Sequence, residues 1–175
     1  MDTAIIKDGK LFVAVSIFPA GYVGWGNSEN GAISSLNDNL YDFCNWLSRP
    51  LPKECEVKVV EKAVGEISSV QLKADQKTNG KKYAELVLQT AFSFKSFYES
   101  FSPNQNELNL YNETVKKLGI TDGLIGHSVS LADSGNIPKM REFVFYLYST
   151  AKRLVEELKL RKVDFFDTFY FNFSY

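Results

Sequence analysis

Between residues 11 and 46 the chain spells strand, tight turn, short strand and capped helix, and this order limits the fold more than any other feature. Residues 11–18, Leu-Phe-Val-Ala-Val-Ser-Ile-Phe, are apolar and β-branched in the manner of a strand. Leu11, Val13, Val15 and Ile17 share one side, and Phe12, Ala14 and Phe18 share the other, so both faces of this strand are expected to be covered. Pro19-Ala20-Gly21 breaks it, and Gly24-Trp25-Gly26 keeps the next strand short. Asn27-Ser28 then supplies an N-cap, because a short side-chain oxygen accepts a free first-turn N–H. Ile33, Leu36, Leu40, Phe43 and Leu47 follow at three- and four-residue steps, which places them on one helical face.

The flanking chain extends the pattern. Residues 3–6 read as a strand joined to 10–18 through Asp8-Gly9, a hairpin signal because both residues tolerate positive φ. The helix must end near Pro50 and Pro52, which cannot continue it. Residues 56–62 alternate as a half-buried strand, with Val57, Val59 and Glu61 on one side and Val60 on the other. The first part is therefore β-β-β-α-β, expected over residues 1–74. Residues 65–80 are polar and aperiodic, and 75–80 make the best domain linker.

From Lys81 the period becomes helical. Ala84, Leu88, Ala91, Phe94, Tyr98 and Phe101 mark one face of a long helix. A shorter helix is expected over 107–118 and a further helical piece over 123–132, started by Asp122 and stopped by Ser134-Gly135-Asn136. Pro138 suits the first turn of a last helix carrying Met140, Phe143, Leu147, Ala151, Leu154 and Leu158 as its apolar stripe. This gives an all-α bundle over 81–162. Residues 163–175 form an aromatic tail in which Phe169, Phe171, Phe173 and Tyr175 alternate as in a strand. Such a segment is expected to pack along an exposed sheet edge or on a second copy of the chain, because left bare it would aggregate.

Composition narrows the function classes. A formal net charge of -1 over 175 residues gives no basic surplus for a nucleic-acid partner. No apolar run is long enough to span a bilayer, and no leader pattern is seen, so a cytoplasmic protein is expected. Cys44 and Cys55 fit neither a disulfide framework nor metal-ligand spacing, and read as buried or half-buried free thiols.

Few residues invite chemistry. His127 is the single histidine, and a lone histidine cannot build a multi-histidine metal site. Its plainer reading is a helix histidine with a satisfied hydrogen bond. Asp122 and Asp133 lack the four-residue spacing that would set them beside it, and Ser128 points to a different helical face. His127 and Asp133 are thus weak metal candidates. The glycine-rich 21–26 lacks dinucleotide or phosphate-loop spacing and reads as a turn with close backbone packing. No cofactor is expected.

Phe18-Pro19-Ala20-Gly21-Tyr22-Val23-Gly24-Trp25-Gly26-Asn27-Ser28, followed by Ala32 and Leu36, resembles the proline-glycine-cysteine, glycine, threonine, acidic-pair signature of HicB-like domains. Tyr22 stands at the cysteine, Ser28 at the capping threonine, and Asn30-Gly31 at the helix start; Val59-Val60-Glu61-Lys62 matches the final strand. The order of parts resembles a bacterial two-domain family in which a HicB-like domain precedes a DinB-like helical bundle, and His127 sits where that bundle carries a histidine. The resemblance implies an α+β chain: a partial RNase H-like β-β-β-α-β domain, then a DinB-like bundle. The later histidines of DinB-like metal sites and the DNA-binding module of HicB-like antitoxins have no counterpart here.

The reading that follows is a non-catalytic binding or assembly protein. A homodimer through Phe169, Phe171, Phe173 and Tyr175 and a small protein partner are its two expected associations. Two alternatives stay open: a DinB-like metal-dependent hydrolase or transferase using His127 and Asp133, and an antitoxin-like protein-binding module.

Overall fold

Asp8 and Gly9 turn the chain back on itself, and Gly9 takes φ +60°, which only glycine adopts freely. The resulting hairpin pairs β1 (Asp2–Asp8) with β2 (Leu11–Phe18) antiparallel, and β3 (Val23–Gly26) continues the meander from β2. The computed structural model describes residues 1–53, 55–76, 80–100 and 123–160, with the backbone alone for 98–100, 154, 155 and 157–160. Helix α1 (Glu29–Trp46) then crosses the sheet, and β4 (Lys58–Val64) returns parallel to β1. The sheet order is β3-β2-β1-β4. A 3-10 turn (Lys73–Gln76) leads to helices α2 (Gly80–Ser100), α3 (Leu124–Ser134) and α4 (Ile137–Leu160). The chain is α+β: a four-stranded mixed sheet with one crossing helix, followed by helices.

Ser28 is the N-cap of α1, and its Oγ accepts from Gly31 N–H at 3.1 Å. The apolar stripe expected on this helix docks as read: Leu36, Leu40, Phe43 and Leu47 are buried, and Ile33 is half-buried. It docks against the sheet face that carries Ile5, Ala14 and Gly24, which oppose one another across three strands. Gly24 is required there. A Cβ on it would lie 2.1 Å from Leu36 N and 2.5 Å from Ala32 O, so the helix backbone rests directly on β3.

The opposite face carries Ala4, Ile6, Val13, Val15, Val23 and Trp25. Helix α4 meets it at Trp25, whose ring packs edge-to-face on Phe145 at 5.6 Å and on Tyr148 at 6.2 Å. Tyr148 also reaches Phe43 at 4.6 Å and Trp46 at 5.3 Å. Edge-to-face pairs of this kind set each ring's positive rim on its neighbour's negative face. One apolar cluster therefore runs from the strands through α1 into α2, α3 and α4. It is continuous across residues 75–80, where the sequence reads as a linker.

That stretch begins with a buried carboxylate. Asp75 accepts from Leu72 N–H at 2.8 Å and pairs with Arg141 of α4 at 2.5 Å, and Arg141 is only 1 % exposed. Arg141 also donates to Val70 C=O at 3.1 Å. Glu61 of β4 caps the same 3-10 turn, accepting from Lys73 N–H at 2.7 Å and Ala74 N–H at 3.2 Å. The N-terminal end of α4 is thus tied to the β4 side of the sheet. Its middle lies at β3, where Tyr148 donates to Asn39 C=O at 3.3 Å.

β4 has the alternation the sequence shows: Val59, Glu61 and Ala63 are half-buried, and Val60, Lys62 and Val64 are exposed. Its register against β1 skips at Val60, since Thr3 opposes Val59 and Ala4 opposes Glu61. Gly65 N–H donates to Lys7 C=O. Successive amides alternate sides, so past the bulge Glu61 and Ala63 turn theirs toward β1, while Lys62 and Val64 turn theirs outward. Among the described residues no strand pairs with that outer edge.

Candidate functional site

A cleft of about 950 Å3 opens between the end of β2, the middle of β4 and the start of α2. Phe18 and Val60 are part of its apolar lining, and its charges come from Asp2, Glu61 and Glu85 and from Arg49, Lys62, Lys73 and Lys82. Most of those charges are already engaged. Glu61 uses both oxygens on the 3-10 turn. Lys62 pairs with Glu29 at 2.5 Å, an exposed contact of small energetic value. Arg49 donates to Gln89 Oε1 through Nε at 2.7 Å and also through Nη2. Lys82 Nζ lies 5.8 Å from the Phe18 ring centre, within cation–π range. The described lining contains no histidine, cysteine or serine; its ionisable groups are carboxylates, lysines and one arginine.

The two cysteines differ. Cys44 is buried, and Cys55 is exposed rather than buried or half-buried. It stands in the proline-broken stretch after α1, where no element covers its thiol. Burial pushes the Cys44 thiol above its usual value, with the Tyr22 hydrogen bond and Arg49 pulling the other way. Burial, then the Cys44 contact, pushes the Tyr22 phenol far up as well. Cys44 is therefore an inert packed thiol, not an activated one.

Sequence placed His127 and Asp133 as weak metal candidates. Both are exposed on α3, six positions apart, and hence on different sides of the helix. The His127 ring lies against Phe143, 5.9 Å between centres. Among the described residues no group of three or more histidine, cysteine or carboxylate side chains could hold a metal ion. Phe169, Phe171, Phe173 and Tyr175, the expected interface, lie outside the described residues, as do the helix expected over 107–118 and Asp122.

Sequence reasoning missed the buried Arg141–Asp75 pair. Asp75 sat in a polar stretch, and Arg141 beside Met140 at the edge of an apolar stripe. An arginine directly after the buried Met140 was the available signal. The pair positions α4; neither residue lines the cleft described above, and Tyr83 completes its surroundings.

What remains distinctive is the β4 margin. Val64 is 80 % exposed, Val60 47 % and Phe18 69 %. Val60 and Phe18 also line the cleft, so cleft and strand edge form one continuous surface. No described helix is long and apolar enough to cross a membrane. No family model, curated protein or solved structure matches the chain.

Proposed function

We propose that this is a non-catalytic binding or assembly protein whose docking element is the outer edge of β4. The observation that carries this is the edge itself: among the described residues β4 ends the sheet, with outward amides at Lys62 and Val64 and with two exposed valines. Natural sheets blunt such edges or use them, and an added strand gains main-chain hydrogen bonds as well as apolar cover. The HicB-like and DinB-like readings belong to this proposal. The β-β-β-α-β order and the helices after it support them at the level of element order. An antitoxin-like role is the same docking with a small protein as partner.

The test is a photo-crosslinking side chain at position 60, with and without Val64→Pro. Proline at 64 removes one outward N–H and leaves the inward amides of Ala63 and Gly65 untouched. A strand docked on β4 gives adducts at position 60 that disappear with Val64→Pro. Adducts that persist unchanged, or no adducts in cells or at high protein concentration, overturn the reading. Stoichiometric zinc, nickel or manganese in the purified protein, lost on His127→Ala, would favour the metal-dependent hydrolase or transferase instead.

A further inference from the structure

We infer that the strand received by β4 is the aromatic segment 169–175 of a second copy of this chain, so that two copies exchange these segments. The inference rests on the β4 reading and names its partner. Length and pattern fit. β4 spans seven residues, and 169–175 is an equally long run in which Phe169, Phe171, Phe173 and Tyr175 alternate. Side chains of adjacent paired strands continue one face. The four aromatic rings would then extend the exposed face that holds Val60 and Val64 and cover both.

The direction of α4 decides between the chain's own edge and another's. Arg141 holds the N-terminal end of α4 at the β4 side, through Asp75 and the turn that Glu61 caps. Seven residues later Tyr148 is at Trp25 of β3, the far edge of the sheet, and Lys152 bonds Asn39 beside it. The helix runs on to Leu160. At 1.5 Å per residue, Leu160 lies roughly 28 Å along the axis from Arg141, heading away from β4. Residues 161–168 reach about 26–29 Å when fully extended. At full extension that link is no longer than the stretch of α4 it would have to retrace to reach its own β4. A second copy's β4 requires no such path. Reciprocal exchange uses the same two surfaces twice and closes a two-fold dimer.

Two full-length variants test this by mixing. One carries Val64→Pro and keeps the aromatic donor. The other carries Phe169→Ser, Phe171→Ser and Phe173→Ser and keeps an intact β4. By light scattering the unmodified chain is expected to have twice the monomer mass. Each variant alone is expected at monomer mass with an unchanged far-ultraviolet spectrum, and the equimolar mixture is expected to regain a one-to-one complex, because a single exchange is still allowed. An unmodified chain at monomer mass, a variant that stays dimeric alone, or a mixture that stays monomeric overturns the exchange. A synthetic peptide of residues 163–175 separates the two levels. If it binds the serine variant but not that variant carrying Val64→Pro as well, while the unmodified chain is monomeric, the β4 edge survives and exchange between copies falls. If it binds neither, the named partner falls, and the crosslinking at position 60 decides the edge reading alone.

Discussion

The two margins of the sheet are opposites. At β3 the edge is met by other elements: Asn39 Nδ2 donates to Val23 C=O at 3.3 Å, Trp25 N–H donates to Ser35 Oγ at 3.2 Å, and Trp25 packs on Phe145 and Tyr148. At β4 no described strand meets the outward amides, Val64 is exposed, and the strand is anchored from within through β1 and Glu61. The difference teaches that sealing an edge takes side chains from elsewhere in the chain. β3 recruits one helix above and another below. β4 meets α1 through the exposed Lys62–Glu29 pair.

The strongest way to break the contrast is to release α4 from the β4 side. Asp75→Ala strips Arg141 of its carboxylate and leaves a buried guanidinium, which costs about 3–5 kcal/mol. Denaturant unfolding should show it. A loss under about 1 kcal/mol would mean that water reaches Arg141 and that the anchor is weaker than its burial implies.

A smaller loss is expected from unsealing β3. Asn39→Ala removes the donor to Val23 C=O and frees the Lys152 contact, at about 1–3 kcal/mol. Amide exchange should quicken along β3 and leave β4 unchanged. Equal quickening at both margins would show that the edges are not independently protected.

Glu142 sharpens the comparison by pH. Burial, followed by the carboxylates of Asp8 and Glu66, raises its carboxyl above the usual value, against the pull of Lys139. Below about pH 4.5 both folded and unfolded states hold the proton and nothing is lost. As pH rises through the folded value, the ionised carboxylate becomes a penalty to the folded state. Glu142→Gln should therefore be more stable than the unmodified chain at pH 7, with the gap closing toward pH 4. A gap that widens on acidification would show the opposite shift.

The smallest effect belongs to the bare margin. Val64→Thr touches an exposed side chain and should change stability by no more than about 0.5 kcal/mol in the isolated monomer. A larger loss at concentrations where the chain associates, absent on dilution, would locate the buried role of Val64 in the assembly.

Much of this was legible from residues alone. The Asp8-Gly9 turn, the Ser28 cap and the 3.6-residue stripe of α1 each act over fewer than about five positions, so local sequence settled them. The tight glycines at 24 and 26 announced close packing, and Gly24 rests on the backbone of α1. On α4 the expected stripe captured Met140, Leu147 and Ala151 but not the equally buried Val144, Phe145 and Tyr148. A helix pressed between a sheet and other helices is apolar on more than one side, and one stripe cannot report that. The candidate surface was half legible. Alternation in 56–62 gave a strand with one wet side, but nothing local says whether a strand ends a sheet.

What the sequence determined by itself was the set of elements, their order and their inward faces, because caps, turns and periodicity act between near neighbours. Tertiary structure decided which edge was sealed, that Asp75 and Arg141 meet across 66 positions, and that α4 leads away from β4. Those depend on where distant elements land, and the free energy that places them is burial and pairing between residues that no short window contains.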